Sequence, residues 1–288
     1  MINGFKVGFM ANGSLLSRPM EETCALLKDI GYDAIELSGG FLNQAGTDKE
    51  LAVQLGKIHE AGLTLSEVVV QQDYISLDEG ERRKAIDTTK EWILRFAQAG
   101  ISVFNLFTGP RPWMPSPITV GAQVSMGQAW DMLFTAFDEL VPMAEKEGVS
   151  LAVENVWGML CHDFYTTQFL VNHYNSPSLG VNFDPSHDQL NGNADMEFMV
   201  RQWGKERIKH IHMKDAAGSQ VRGRVLFPPL GTGLVDWDGF VRGLKAIDYQ
   251  GVMSVEYEAD QHLSRNLRGD WVKAAKESYA ALCAILGE

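Results

Sequence analysis

An α/β chain folded as a closed (β/α)8 TIM barrel is what this sequence predicts, on three observations. Helix-like stretches end in a glycine directly before a strand-like run at four places, eight such runs recur along the 288 residues, and no GxGxxG follows the first run. An open doubly wound sheet would have fewer strands and an early glycine-rich turn.

The first strand is expected over 5–10, in "FKVGFM". "LLKDIG" then closes a helix at Gly31 before "YDAIEL", the second strand over 33–37. "KIHEAG" ends at Gly62 before "LTLSEVVV" (63–70), "RFAQAG" at Gly100 before "ISVFNLF" (101–107), and "AEKEG" at Gly148 before "VSLAVE" (149–154). Glycine enters the left-handed conformation that closes a helix, so these four read as C-terminal caps. Strands over 179–184, 207–213 and 251–256 complete the count, with helix-period segments between and after them. Nothing resembling a linker divides the chain, so residues 1–288 are expected to form one barrel domain. Two connections are long: 108–124, rich in Pro and Gly, and 214–235. Both follow strand C-terminal ends, where barrel enzymes place their sites, although an ordinary surface insertion is the plainer reading. Asp236, before "WDGFVRGLKAI", reads as a helix N-cap.

Composition narrows the function. A net charge of -12 and a pI near 5.1 disfavour polyanions, because nucleic-acid affinity depends on phosphate neutralisation by Lys and Arg. Cys24, Cys161 and Cys283 are odd in number and lack CxxC spacing, which argues against a disulfide framework or a thiolate zinc site. A reduced cytoplasm is the expected compartment. No basic leader or long apolar segment points to secretion or a membrane.

Four runs carry a polar residue at the tip. Glu154 shares a pleat phase with Ala152 and Ser150, while Leu151 and Val153 point the other way. Asp184 does the same with Asn182 and Gly180, His212 with His210, and Glu256 with Ser254 and Val252. Helices should cover the bulky face, and the four tips should converge on one mouth. Three carboxylates and an imidazole suit a divalent cation with open positions: manganese first, with magnesium, cobalt or zinc as alternatives. The plainer alternative is that each carboxylate is paired with Lys or Arg. His210 lies one pleat deeper than His212 and reads as core, whereas Glu258 lies one pleat further out and reads as rim. Glu36 and Asn155 would complete the polar mouth, with Trp157, Trp113 and Phe107 as walls. Lys214 would contact a substrate oxygen, or else pair with Asp215.

The runs "LAVEN", "GVNFDPSHD", "IKHIHMKD", "PLGTGLVDW" and "GVMSVEYE" resemble the xylose isomerase-like barrel superfamily. The resemblance is to its sugar phosphate isomerase/epimerase group, which includes inosose isomerases and dehydratases, hydroxypyruvate isomerases and tagatose 3-epimerases. It implies one divalent metal on Glu154, Asp184, His212 and Glu256, with Glu154 and Glu256 also exchanging a proton with the substrate carbon. It further implies that His187 contacts substrate or orients a ligand, and that Arg222 or Arg224 binds substrate. The implied activity is isomerisation or epimerisation of a small keto-sugar or inosose. A lyase of the same site is the alternative: a keto-inositol dehydratase or a 3-keto-glycoside cleaving enzyme. The more remote endonuclease IV branch needs further histidines, where Gln71, Gln72, Asn105 and Thr108 stand here. Many relatives assemble as homo-oligomers, so a homo-oligomer is compatible with the resemblance, while the sequence itself leaves the oligomeric state open.

Overall fold

The computed structural model describes residues 1–192 and 194–287. Eight parallel strands close into a barrel: β1 (Lys6–Met10), β2 (Ala34–Ser38), β3 (Thr64–Val70), β4 (Val103–Leu106), β5 (Ser150–Glu154), β6 (Leu179–Phe183), β7 (Ile208–Met213) and β10 (Val252–Val255). The short antiparallel pair β8 (Ala217–Gly218) and β9 (Val225–Leu226) lies in the long connection after β7. Around the ring the order is β1, β10, β7, β6, β5, β4, β3, β2. Every expected strand is therefore present, within one or two residues at each end.

The helices are α1 (Met20–Ile30), α2 (Gly39–Leu42), α3 (Asp48–Glu60), α4 (Glu79–Gln98), α5 (Met126–Glu147), α6 (Phe164–Tyr174), α7 (Pro185–Asn191), α8 (Met196–Arg207), α9 (Trp237–Ala246), α10 (Asp260–Arg265) and α11 (Trp271–Leu286). Three of them, α2, α7 and α10, are short additions at the C-terminal ends of strands. The predicted caps hold in geometry: Gly31, Gly62, Gly100 and Gly148 all have positive φ. At the other ends, Thr47, Ser125 and Asp163 form reciprocal capping boxes, and Asp236 accepts from Gly239 N–H at 2.9 Å. Each satisfies backbone donors that the first helical turn would otherwise leave unpaired.

The two faces of the strands differ as the alternation predicts. Leu151, Val153, Ile211, Met213, Met253 and Val255 are buried in the main apolar core. The interior takes small residues. At Gly8 an added Cβ would lie 2.7 Å from Ser254 Oγ and 3.2 Å from the Ala34 Cβ.

The pairing shifts register at two places, between β6 and β7 at Val181/Asn182 and between β2 and β3. Ala34 and Ile35 of β2 pair with Thr64 and Leu65, but Leu37 pairs with Val68, so β3 has one more residue than β2 opposite Glu36. At this bulge Ser66 and Glu67, consecutive in sequence, both reach inward: Ser66 Oγ lies 3.1 Å from Ser254 Oγ, and Glu67 Oε1 lies 3.2 Å from His210 Nδ1.

Candidate active site

β5, β6, β7 and β10 are consecutive neighbours in the ring, and the tilt of a barrel staggers their registers. Glu154 pairs with Asn182, and two residues beyond Asn182 stands Asp184. His212 pairs with Ser254, and two residues beyond Ser254 stands Glu256. The stagger lifts the four tips to one height, where Glu154, Asp184, His212 and Glu256 each bring a ligand atom within 4.8 Å of the others. Three are almost wholly buried and Glu256 is 8% exposed.

Asp184 is fixed by the chain around it. Its Oδ1 caps α7 by accepting from Ser186 N–H at 2.9 Å, with Pro185 in the first helical turn, where its missing N–H costs nothing. Asn155 clamps the Asp184 backbone from both sides, accepting from its N–H and donating to its carbonyl. Oδ2 is left for the site. Asn155 also donates to Asp188, whose carboxyl burial pushes up to about 8.

Beneath the mouth lies a second acidic layer. His212 turns Nδ1 toward Glu154 Oε1 (3.2 Å) and Glu256 Oε2 (3.3 Å), and Nε2 toward Glu36 Oε1 (3.0 Å) and Glu67 Oε1 (3.3 Å). Glu36 is thus fully buried below His212 and outside the cavity. This differs from the sequence expectation that it completes the mouth, because it sits mid-strand rather than at a strand tip. His210 is core, as expected, between Asn182 Oδ1 (3.2 Å) and Ser254 Oγ (3.1 Å). Glu67 escaped the sequence reading, although a carboxylate inside "LSEVVV" is a signal in itself: without a partner, burying it would be costly. Asn105 also belongs here, donating to Glu154 Oε2 at 2.8 Å and Glu67 Oε1 at 3.2 Å.

Above the tips, Lys214 Nζ contacts Glu256 Oε2, and lies 2.9 Å from Asp184 Oδ2 and 3.0 Å from Glu258 Oε2. It does not pair with Asp215, which faces the other way and accepts from the N–H groups of Gly231, Gly233 and Val235 and from Trp237 Nε1. His187 Nδ1 accepts from Trp157 N–H at 3.2 Å. Its Nε2 lies 3.4 Å from Asp184 Oδ2 and 3.2 Å from Lys214 Nζ. Burial and the nearby Lys214 ammonium hold this imidazole down to about 3.

The two glutamates differ. Burial, reinforced by the Glu256 charge, pushes Glu154 up to about 7 against the pull of His212 and Lys214. Burial acts upward on Glu256 too, but Lys214 and His212 outweigh it and hold this carboxyl far below the usual range. His212 is itself held well above the ordinary imidazole value: burial opposes its charge, but Glu154, Glu36 and Glu256 prevail.

The cavity over these groups measures about 280 Å³, and its walls include Phe107, Trp113, Trp157, His187 and Lys214 beside Glu154 and Glu256. Arg222 stands apart, exposed, donating to Met114 O at 3.3 Å, and Arg224 is exposed next to β9. Neither lines this cavity. Among the described residues no helix is long and apolar enough to cross a membrane.

The family model for the xylose isomerase-like TIM barrel matches residues 24–285. The chain belongs to that family. Solved structures show the same xylose isomerase-like fold. D-psicose 3-epimerase with D-tagatose from Clostridium cellulolyticum H10 aligns with a TM-score of 0.74 at 17% identity, covering 98% of this chain and 99% of that one. An IolI protein with a bound zinc atom aligns at 0.74 and 18% identity, covering 98% of each chain. The probable 3-DHS dehydratase AsbF from Bacillus anthracis aligns at 0.72 and 15% identity, covering 96% and 98%. No curated protein matches the sequence.

Proposed function

We propose that this member of the xylose isomerase-like family is a divalent-metal-dependent isomerase or epimerase of a small keto-sugar or inosose, moving a proton next to a carbonyl. The observation that carries the reading is the convergence of Glu154, Asp184, His212 and Glu256 on one point at the floor of a sugar-sized cavity. The donor set fits a cation. Three carboxylates, Asp184, Glu256 and Glu258, share the single ammonium of Lys214, and Glu154 adds a further acidic group beside Asp184 and Glu256, so the cluster holds more acid than one ammonium balances. Oxygen donors with one imidazole and no thiolate favour manganese, with magnesium, cobalt or zinc able to substitute. When bound, the ion would polarise a substrate carbonyl and stabilise the negative charge left by the departing α-proton.

The chain's own residues supply the rest. Glu256, held ionised, is the base. Glu154 is its counterpart on the neighbouring side of the mouth and returns a proton to the substrate carbon, the two glutamates exchanging roles with the direction of reaction. Glu36 accepts from His212 Nε2–H and fixes the ring so that Nδ1 faces the ion. His187 and Lys214 are placed to meet substrate oxygens, and Trp157 offers an apolar wall to the sugar ring.

The paired glutamates over one cavity also fit a second reading: protonation of a departing hydroxyl by one of them would make the same site a dehydratase. Incubation with keto-sugars in deuterated water separates the two, because epimerisation adds deuterium with the carbon skeleton intact, whereas elimination loses an oxygen or releases a fragment. Glu154→Gln and Glu256→Gln are each expected to lower turnover at least a hundredfold. If both variants kept metal and activity, these roles would be wrong.

A further inference from the structure

A second cavity, of about 500 Å³, lies beside the first, and Trp157 lines both. Three loops build it: Pro112, Ile118 and Val120 come from the connection after β4, Met159 and His162 from the one after β5, and Gln220 and Arg222 from the one after β7. The loops are tied to one another. Arg222 donates to Met114 O, Gln220 Nε2 donates to His162 O at 3.3 Å, and Leu160 N–H donates to Gly109 O at 2.7 Å. At Gly158, φ is +75° and an added Cβ would meet Pro112 Cβ at 2.8 Å, so only glycine allows these two loops to approach so closely.

The lining is unlike the rest of the molecule. In a chain of net charge -12 it contains no carboxylate, its one permanent charge is Arg222, and most of its other residues are apolar. The first cavity is large enough for one sugar ring. A free ketose held over Glu154 and Glu256 would fill it and leave the second cavity unused.

We propose that the second cavity receives a substituent carried by the sugar, so that the substrate is a glycoside of a keto-sugar with a flat, largely apolar aglycone. This rests on the keto-sugar reading of the metal site and narrows it. Ile118, Val120 and Met159 would meet the aglycone's faces, and Trp157 would stand at the glycosidic link. Arg222, Gln220 and His162 offer polar groups to hydroxyl or anionic oxygens at the far end, and the absence of carboxylates disfavours a cationic group.

The test compares three probes with the full chain supplied with manganese: D-tagatose, methyl 3-keto-β-D-glucoside and 4-nitrophenyl 3-keto-β-D-glucoside, each followed by deuterium uptake from deuterated water. The nitrophenyl compound is expected to exceed the methyl compound at least tenfold in kcat/KM, chiefly through KM. Met126→Glu should bring that ratio close to one. Met126 lines the cavity, is 53% exposed and opens α5, where a carboxylate is tolerated, so this variant should fold. Ile118→Glu, in the partly exposed loop, should act the same way. Equal rates for the two glucosides, or exchange with D-tagatose alone, would overturn the aglycone site and leave the keto-sugar reading standing. No exchange with any probe would overturn both.

Discussion

Glu154 and Glu256 are chemically identical and sit at the same height, yet their surroundings give them opposite protonation. The difference predicts how the site takes up an ion. Glu154, pushed up to about 7, and His212, held well above its ordinary value, must both give up protons before they can act as ligands. Metal affinity should therefore rise with pH and fall roughly tenfold or more per unit below about pH 7. Calorimetry near pH 6 in two buffers of different ionisation enthalpy should count at least one proton released per ion, and a count of zero would contradict the assigned ligands. The sign for folding is opposite. Without the ion, the folded state keeps the Glu154 proton between the ordinary value of 4.5 and about 7, so this residue's contribution to stability declines as pH rises across that window. The four tips were legible in the sequence because each ends a run with intact alternation. Glu67 was not, since the bulge in β3 puts two consecutive residues on the same side and the period-2 pattern fails there.

At the scale of elements, the connection after β7 shows how a long loop is held. Asp215 accepts from Gly231 N–H at 3.0 Å, Gly233 N–H at 2.9 Å, Val235 N–H at 3.2 Å and Trp237 Nε1 at 3.2 Å, which folds "PLGTGLVDW" around one carboxylate. A Cβ at Gly233 would sit 2.2 Å from Asp215 Oδ1, so the loop backbone lies directly against its acceptor. Removing that acceptor strands the buried Val235 N–H and three partly buried donors. Asp215→Ala should cost about 3 kcal/mol or more in urea unfolding and expose residues 214–235 to limited proteolysis; an unchanged cleavage pattern would mean that other contacts hold the loop. Loop length was readable from the spacing of strands. The partner of Lys214 was not: adjacent residues in an extended segment point apart, so Asp215 turned to the loop while Lys214 turned to Asp184 and Glu256.

For the whole molecule, closure of the ring depends on small interior side chains. Gly8 faces Ser254, whose hydroxyl lies 3.1 Å from His210 Nε2, so bulk at Gly8 would press on the layer below the site. Gly8→Val should lower stability by about 2–3 kcal/mol, read as a fall in melting temperature; an unchanged melting point would show that the interior has room to relax. The barrel was legible because caps, alternation and strand count all pointed to it. Short α2, α7 and α10 were not, being single-turn or two-turn additions too brief to show a helical period. The extra residue in β3 makes chain length itself a constraint on this protein. Dropping one residue there would restore an even pleat and leave only one inward position for Ser66 and Glu67, so that either the hydroxyl meeting Ser254 or the carboxylate beside His210 and His212 would be lost. A one-residue deletion in this strand would therefore alter the site in a way that no single exchange of side chain reproduces.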